Sequence, residues 1–205
     1  VGPWDHECSA DTLARAGLMP VTDTAFAHRW DHFIAFFDHY LMGLDNGFGA
    51  AGQVHYFTLG ADEWQDDEDW PPPGVDFQSW YLRGNSELSQ QSPGEEAADQ
   101  FTYDPAKPID QTLQMDCWGI AGEMGDRREI EARDDVLVYT SSTLEADMEL
   151  TGPVTATLHI SSSATDTDFT VVLCDVFPDG RVNKIQDGIL RTGFREIDLA
   201  PQLME

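Results

Sequence analysis

The chain has 205 residues, 41% hydrophobic and 11% aromatic, which excludes wholesale disorder and leaves room for one large domain or two small ones. Its formal net charge is −27, from 11 Lys and Arg residues against 38 Asp and Glu residues. Nucleic-acid binding is therefore excluded as a function, because phosphate contacts need basic side chains. The sequence contains no run of about 18 apolar residues and no signal-peptide pattern, so it predicts no membrane segment.

The acidic residues are spread along the whole chain, and only Lys107 and Lys184 are lysines. Three interpretations are open: adaptation to molar salt in the cytoplasm, a calcium-binding protein, or an acidic interaction tail. The even spread and the scarcity of lysine favour a cytoplasmic, high-salt-adapted protein. Cys8, Cys117 and Cys174 form no CxxC pair, and we interpret them as thiols in a reducing cytoplasm.

Residues 1–22 read as a loop, and Asp23 or Thr24 is a candidate cap for a helix that runs to about Met42. Apolar residues recur along this segment at steps of three and four, which is typical of an amphipathic helix. His28 and His32 have the i, i+4 spacing of a helical metal pair. No Glu stands in the general-base position between them, so we interpret them as surface or packing residues and predict no metal site.

The periodicity changes after the glycines that end at Gly52. Residues 54–59 and 80–82 read as strands, whereas residues 61–73 and 86–99 read as acidic or polar loops.

The best-defined β region lies further along the chain. Residues 135–140, 154–160 and 169–176 read as strands, Pro178-Asp179-Gly180 as a turn, and residues 182–185 and 189–190 as the returning strand. Several short strands with turn signals between them indicate a sandwich or jelly roll.

A self-contained active site is not evident in the sequence. There is no Gly-x-Ser-x-Gly elbow, no phosphate loop and no dinucleotide fingerprint, so we predict no cofactor. Ser161-Ser162-Ser163 lies in strand-like sequence without a following helix, which is a poor context for a nucleophile. The carboxylates of Asp166, Asp168, Asp175 and Asp179 are candidate calcium ligands, but they lack a full ligand series. His6 is the remaining candidate, either as an acid/base residue or as a structural histidine.

Val1-Gly2-Pro3-Trp4-Asp5-His6 resembles the Gly-Pro-Trp-x-His element of the cocaine-esterase-like (CocE/NonD) family, which includes X-Pro dipeptidyl peptidases and α-amino-acid ester hydrolases. Further stretches resemble that family in the same order along nearly the whole chain. These stretches are residues 37–43, 56–64, 70–72, 103–105, 131–141, 151–154, 166–169, 175–181 and 187–191. Between Pro108 and Asp126 the chain departs from the family, because the glycine pair typical of the family is absent.

The resemblance implies a Ser-Asp-His triad in which His6 is the general base and the Ser and Asp lie upstream of residue 1. It implies that residues 1–52 are the C-terminal end of an α/β-hydrolase domain. Residues 53–205 would be a jelly-roll-like domain, incomplete if nothing follows Glu205. The fold class expected is therefore mainly β, a jelly-roll-like β-sandwich preceded by a helical remnant of the hydrolase domain.

The parent protein would act on a small ester or peptide substrate, and the fragment alone would be inactive. Two rival functions stay open: a carbohydrate-binding module that uses Trp64, Trp70, Trp80 and Tyr81, and a calcium-stabilised structural domain. An unfinished sandwich with an uncovered interdomain face also makes self-association into a homo-oligomer a hypothesis.

Overall fold

The computed structural model describes residues 1–2, 29–48, 54–109 and 126–195. Within these ranges the chain is mainly β, with three two-stranded antiparallel sheets and two α-helices. This confirms the predicted mainly β class, while the jelly-roll arrangement stays a prediction. No helix in the described ranges has the length and apolar character needed to cross a membrane.

Helix α1 spans Arg29–Tyr40, in agreement with the central part of the predicted helix. The helical hydrogen bonding gives way after Tyr40, where Gly43 adopts a left-handed conformation (φ 68°) and His39 Nδ1 contacts the Leu44 carbonyl at 3.2 Å. The predicted start at Asp23 or Thr24 lies outside the described residues. The aromatic side chains of α1 stay largely exposed, with 62% of Trp30 and 50% of Phe37 accessible.

Strands β1 (Val54–Thr58) and β2 (Glu63–Asp67) form the first hairpin. Phe57 lies opposite Trp64, and His55 opposite Asp66. The prediction that residues 61–73 are a loop is wrong for β2, because pairing with β1 imposes an extended conformation on this acidic stretch. Asp62 supplies the left-handed residue of the connecting turn (φ 57°).

Strands β3 (Tyr81–Arg83) and β4 (Glu87–Ser89) form a second, shorter hairpin. The predicted loop over residues 86–99 is wrong at its start, where Glu87–Ser89 form β4. Residues 135–140, predicted as a strand, contribute only an isolated bridge between Thr140 and Glu87. Neither correction changes the fold class.

Strands β5 (Asp168–Val176) and β6 (Val182–Arg191) form the longest hairpin, with a register shift between Leu173 and Cys174. The turn at Pro178-Asp179-Gly180 is confirmed, since Gly180 has φ 85° and the Arg181 amide donates to Asp179 Oδ1 at 3.0 Å. Residues 154–160 form no strand and are exposed, which corrects their prediction as a half-buried strand. A 3₁₀ turn at Thr192–Phe194 follows β6. A short helix, α2 (Arg128–Glu131), lies near the start of β6, which the preceding residues Asp126 and Arg127 contact.

The buried core of the described residues is small. Tyr56 and Val182 are its buried hydrophobic side chains, and Arg127, Asn183 and Thr192 are buried polar ones. Large apolar side chains such as Trp30, Leu41 and Ile189 are 62–76% exposed, so the chain has apolar surface that its own described residues do not cover.

Candidate functional site

His6, the predicted catalytic residue, lies outside the described residues, but the segment that leads to it begins inside them. The Val1 nitrogen donates to the carbonyl of His55 at 2.5 Å. The Phe57 amide in turn donates to the carbonyl of Val1 at 3.0 Å. Val1 therefore pairs with the free edge of β1. Val1 stands four positions before Asp5 and five positions before His6 in the sequence.

The side chain of His55 lies at the centre of an aromatic and acidic cluster on this hairpin. Its ring stacks on Trp64 with centroids 4.3 Å apart and planes within 2°, and the His32 ring of α1 lies 4.6 Å away. The Nδ1 atom is 2.7 Å from Asp66 Oδ1. Because a carboxylate only accepts hydrogen bonds, Nδ1 carries the proton, and this contact fixes the tautomer and plane of the ring. We call His32, His55, Trp64 and Asp66 the hairpin cluster.

The other face of β1 carries a matching polar contact. Successive strand residues point to opposite faces, and the Tyr56 hydroxyl donates to Asp67 Oδ2 at 2.8 Å. This hydrogen bond, together with burial and the charge of Asp67, raises the pKa of Tyr56 to about 12. Tyr56 also meets Trp70 edge to face, with centroids 5.6 Å apart. Of the tryptophans in the candidate carbohydrate surface, Trp64 is thus stacked within the hairpin, whereas 43% of Trp70 stays exposed.

Three of the four candidate calcium ligands, Asp166, Asp168 and Asp179, contact arginines in the structure. Arg191 bridges Asp166 and Asp168, with nitrogen–oxygen distances of 3.2 and 2.8 Å. Asp179 accepts from Arg181 Nε at 2.8 Å. The guanidinium groups supply the positive charge that a calcium ion would supply, so these contacts stabilise the β5–β6 hairpin.

The remaining candidates have local contacts. Ser162 Oγ accepts from the Ala164 amide at 3.0 Å, as in a hydroxyl-stabilised turn. His32 packs in the hairpin cluster against His55 and Trp64, while His28, which shares the i, i+4 spacing with it, lies outside the described residues. The described part of the chain contains no group of three His, Cys, Asp or Glu side chains arranged for a metal ion.

A second polar cluster joins α2 to the β5–β6 hairpin. Burial, and then the nearby Glu131 carboxylate, raise the pKa of Cys174 to about 11. Burial likewise raises the pKa of Glu131. These shifts indicate a structural thiol, since a nucleophilic cysteine needs a lowered pKa.

The hairpin cluster is absent from the sequence-based prediction, because the acidic stretch that contains Asp66 reads as a loop. The alternation of side chains along the two stretches nevertheless carries a signal for this cluster. His55 and Phe57 share one face of a strand, and so do Trp64 and Asp66, so a tight hairpin between the two stretches would bring all four side chains together.

These observations define a mainly β chain whose first strand pairs with Val1, five residues before the candidate catalytic histidine. The profile of one family, described as the X-Pro dipeptidyl-peptidase C-terminal non-catalytic domain, matches residues 46–205. The chain belongs to this family, which confirms the predicted resemblance to the C-terminal part of CocE/NonD proteins.

Similar full-length proteins are much longer than this chain. It is 39% identical to a cocaine esterase of Rhodococcus sp. (strain MB1 Bresler), covering all of this chain and 38% of the relative. It is 34% identical to a protein of Mycobacterium bovis that is named as a serine esterase, and the match covers 98% of this chain and 32% of the relative. The chain therefore spans about a third of the length of these relatives.

One solved structure is also similar. An aminopeptidase from a marine sediment archaeon, Thaumarchaeota archaeon, superimposes with a TM-score of 0.72 at 25% identity. The match covers 89% of this chain and 32% of the aminopeptidase chain.

Proposed function

We propose that this chain is the C-terminal part of a serine hydrolase that cleaves an acyl ester or an X-Pro dipeptidyl amide. The observation that carries the proposal is the pairing of Val1, five residues before His6, with β1 of the matched C-terminal domain. Family membership and the esterase names of two relatives support it. An enzyme is a better account than a sugar-binding module, because the Trp64 ring is already stacked on His55.

In this proposal His6 is the general base of a Ser-Asp-His triad. It takes the proton of the serine hydroxyl as the acyl-enzyme forms and returns it to the leaving group. The nucleophilic Ser and the orienting Asp belong to an upstream α/β-hydrolase domain, as in the family that the sequence resembles. The chain by itself would then be inactive, because His6 has neither a nucleophile nor an orienting carboxylate.

The exposed aromatic surface of α1 supports an upstream domain as its partner. Trp30, Phe37 and Tyr40 are each at least half exposed, although large apolar side chains are normally buried in a finished domain. Burying such a surface against another domain removes apolar area from water, which favours the interface. The relatives are about three times as long as this chain, which provides the length for that partner.

Labelling with a fluorophosphonate probe tests the proposal. We expect a single serine of the full-length protein to be labelled and the 205-residue chain, folded in molar KCl, to stay unlabelled. In the full-length protein, His6→Ala should abolish labelling and ester hydrolysis, while His39→Ala should preserve both. Stoichiometric labelling of the 205-residue chain, or full activity of His6→Ala, would contradict the proposal.

A further inference from the structure

We propose that Asn46 and Gly47 form a self-modification site, at which Asn46 converts to aspartate or isoaspartate and thereby releases a turn from helix α1. The reacting groups are neighbours in the chain, so the reaction requires only water. The site lies in residues 43–48, which follow α1. It is independent of the proposed hydrolase function.

The side chain of Asn46 holds this turn against the helix. Its Nδ2 atom donates to the carbonyl of Ala35, eleven positions earlier in the chain, at 2.9 Å. The neighbouring Phe48 ring meets Phe36 and Tyr40 edge to face, with centroids 5.8 and 6.5 Å apart. A carboxamide both donates and accepts hydrogen bonds, whereas a carboxylate only accepts them. The contact with Ala35 therefore depends on Asn46 keeping its amide.

The same turn presents the groups that attack on the Asn46 side chain requires. Gly47 has no β-carbon to shield its nitrogen, and open space surrounds the position where one would stand. Its amide donates to no acceptor among the described residues, so water can reach the N–H. The Phe48 amide donates to Asn46 Oδ1 at 3.0 Å. This donor faces the oxygen on which negative charge develops when the Gly47 nitrogen attacks, as in an oxyanion hole.

The reaction balances with water and hydroxide alone. The Gly47 nitrogen gives its proton to hydroxide and bonds to Asn46 Cγ. The Cγ–Nδ2 bond then breaks, and Nδ2 takes a proton from water and leaves as ammonia, which yields a succinimide ring. Water adds to either ring carbonyl and opens the ring to aspartate, or to isoaspartate with the main chain routed through Cγ. The attack is favoured because the two reacting groups are held next to each other.

Either product weakens the attachment of the turn to the helix. A carboxylate at position 46 has no hydrogen to donate, and its oxygen repels the Ala35 carbonyl. It also adds a negative charge beside Asp45, near the C-terminal end of α1, where the helix dipole disfavours anions. Isoaspartate in addition inserts a carbon atom into the main chain, which shifts the Phe48 ring relative to Phe36.

Incubation of the 205-residue chain in molar KCl at about pH 8.5, followed by peptide mapping with mass spectrometry, tests the site. We expect Asn46 to convert about tenfold faster than the other two asparagines, Asn85 and Asn183, and to release ammonia. These are internal controls, because Ser86 and Lys184 follow them and both have a β-carbon. An intact Asn46, or equal conversion at Asn46 and Asn85, would overturn the proposal.

A matched pair of substitutions tests the part played by the fold. Phe48→Pro removes both the ring and the backbone N–H that faces Asn46 Oδ1, whereas Phe48→Ala removes only the ring. We expect Asn46 to convert about tenfold more slowly in Phe48→Pro than in Phe48→Ala. This is less than the roughly 100-fold effect of one donor in an enclosed oxyanion hole, because the turn is exposed. Equal rates in the two variants would overturn the role of the Phe48 amide.

Hydrogen exchange tests the release of the turn. Asn46→Asp reproduces the aspartate product without the reaction. The Leu44 amide donates to the Asp38 carbonyl at 3.0 Å, and we expect it to exchange about tenfold faster in this variant than in the wild type. Amides of the β1–β2 hairpin should exchange at wild-type rates in both proteins. Unchanged exchange at Leu44 would show that Asn46 does not hold the turn, and would overturn the proposed release.

Discussion

At the residue scale, Asp126 joins two segments that are distant in sequence. Its Oδ2 accepts from Arg128 Nε at 2.7 Å, and its Oδ1 lies within 3.3 Å of the amides of Arg128 and Val182. The hydrogen bond from Arg128, followed by those backbone contacts, lowers the pKa of Asp126 to about 2, from 3.8. A carboxyl whose folded pKa is depressed stabilises the fold above its unfolded pKa, and this contribution is lost as the pH falls through the folded value.

We therefore predict that Asp126→Asn lowers the free energy of unfolding at pH 7 by about 0.5–1 kcal/mol, a small value because the ion pair is largely exposed and screened. The difference from the wild type should persist at pH 5 and shrink between about pH 4 and pH 2, where Asp126 becomes protonated in both states. Urea unfolding in molar KCl at pH 7, 5 and 2.5 measures it. An undiminished difference at pH 2.5 would contradict the assignment.

Cys174 gives a second prediction at this scale. Its thiol is half-buried and its pKa is raised to about 11, so almost none of it is thiolate at pH 8. Since the thiolate is the reactive form, we expect Cys174 to react slowly with a disulfide reagent in the folded protein. Cys174→Ser should then leave the number of fast-reacting thiols unchanged, and should remove one thiol from the total counted in guanidinium. Loss of one fast-reacting thiol in the folded variant would show that Cys174 is accessible.

At the element scale, the β3–β4 hairpin has a strained turn. Asn85 and Ser86 both have φ 61°, and the Glu96 carboxylate holds the turn by accepting from Arg83 Nε and the Gly84 amide, each at 2.7 Å. Asn tolerates the left-handed region better than Ser, which has no side-chain amide to compensate. The strain is therefore concentrated at Ser86.

We predict that Ser86→Gly raises the free energy of unfolding by about 0.5–1 kcal/mol. The relief of left-handed backbone strain in the folded state exceeds the larger loss of conformational entropy that glycine undergoes on folding. Asn85→Gly is the matched control and should change stability by less. The Ser86 backbone carbonyl still accepts from the Thr140 amide in either variant. Thermal unfolding of the three proteins side by side measures the effect, and a lower melting temperature for Ser86→Gly would refute the prediction.

Elements with local signals could be predicted from the sequence. The apolar period of α1 and the Pro178-Asp179-Gly180 turn depend on neighbours within a few residues, and both were predicted correctly. β5 was also predictable, because a run rich in β-branched and apolar residues leads directly into that turn.

Elements that depend on distant pairing could not be predicted in this way. β2 is acidic and reads as a loop, but its register with β1 places Trp64 against Phe57 and makes it a strand. Residues 154–160 alternate like a strand, yet strand character also requires a partner for the backbone, and the described residues provide none there. The hairpin cluster was hidden for the same reason, since His55 and Asp66 meet only through the β1–β2 register.

At the scale of the whole molecule, charge and uncovered surface act together. A chain with a net charge of −27 repels itself, while its exposed aromatic side chains favour contact with other surfaces. Salt of about 1 M shortens the Debye length to about 3 Å and screens the repulsion between carboxylates, so that apolar contacts are opposed less by charge. We propose on this basis that the protein works in a cytoplasm of high salt concentration.

This proposal predicts that KCl stabilises the fold mainly by screening carboxylates. The melting temperature at pH 7 should rise steadily between about 0.1 and 2 M KCl, because the Debye length falls from about 10 Å to below 3 Å over that range. Repeating the titration at pH 5 provides the control, since the sequence pI is about 4.1 and the net charge falls as that pH is approached. If screening is the cause, the rise per unit of KCl will be clearly smaller at pH 5. An equal rise at both pH values would assign the effect to general salting-out of apolar surface, and high-salt adaptation through acidic charge would then be rejected.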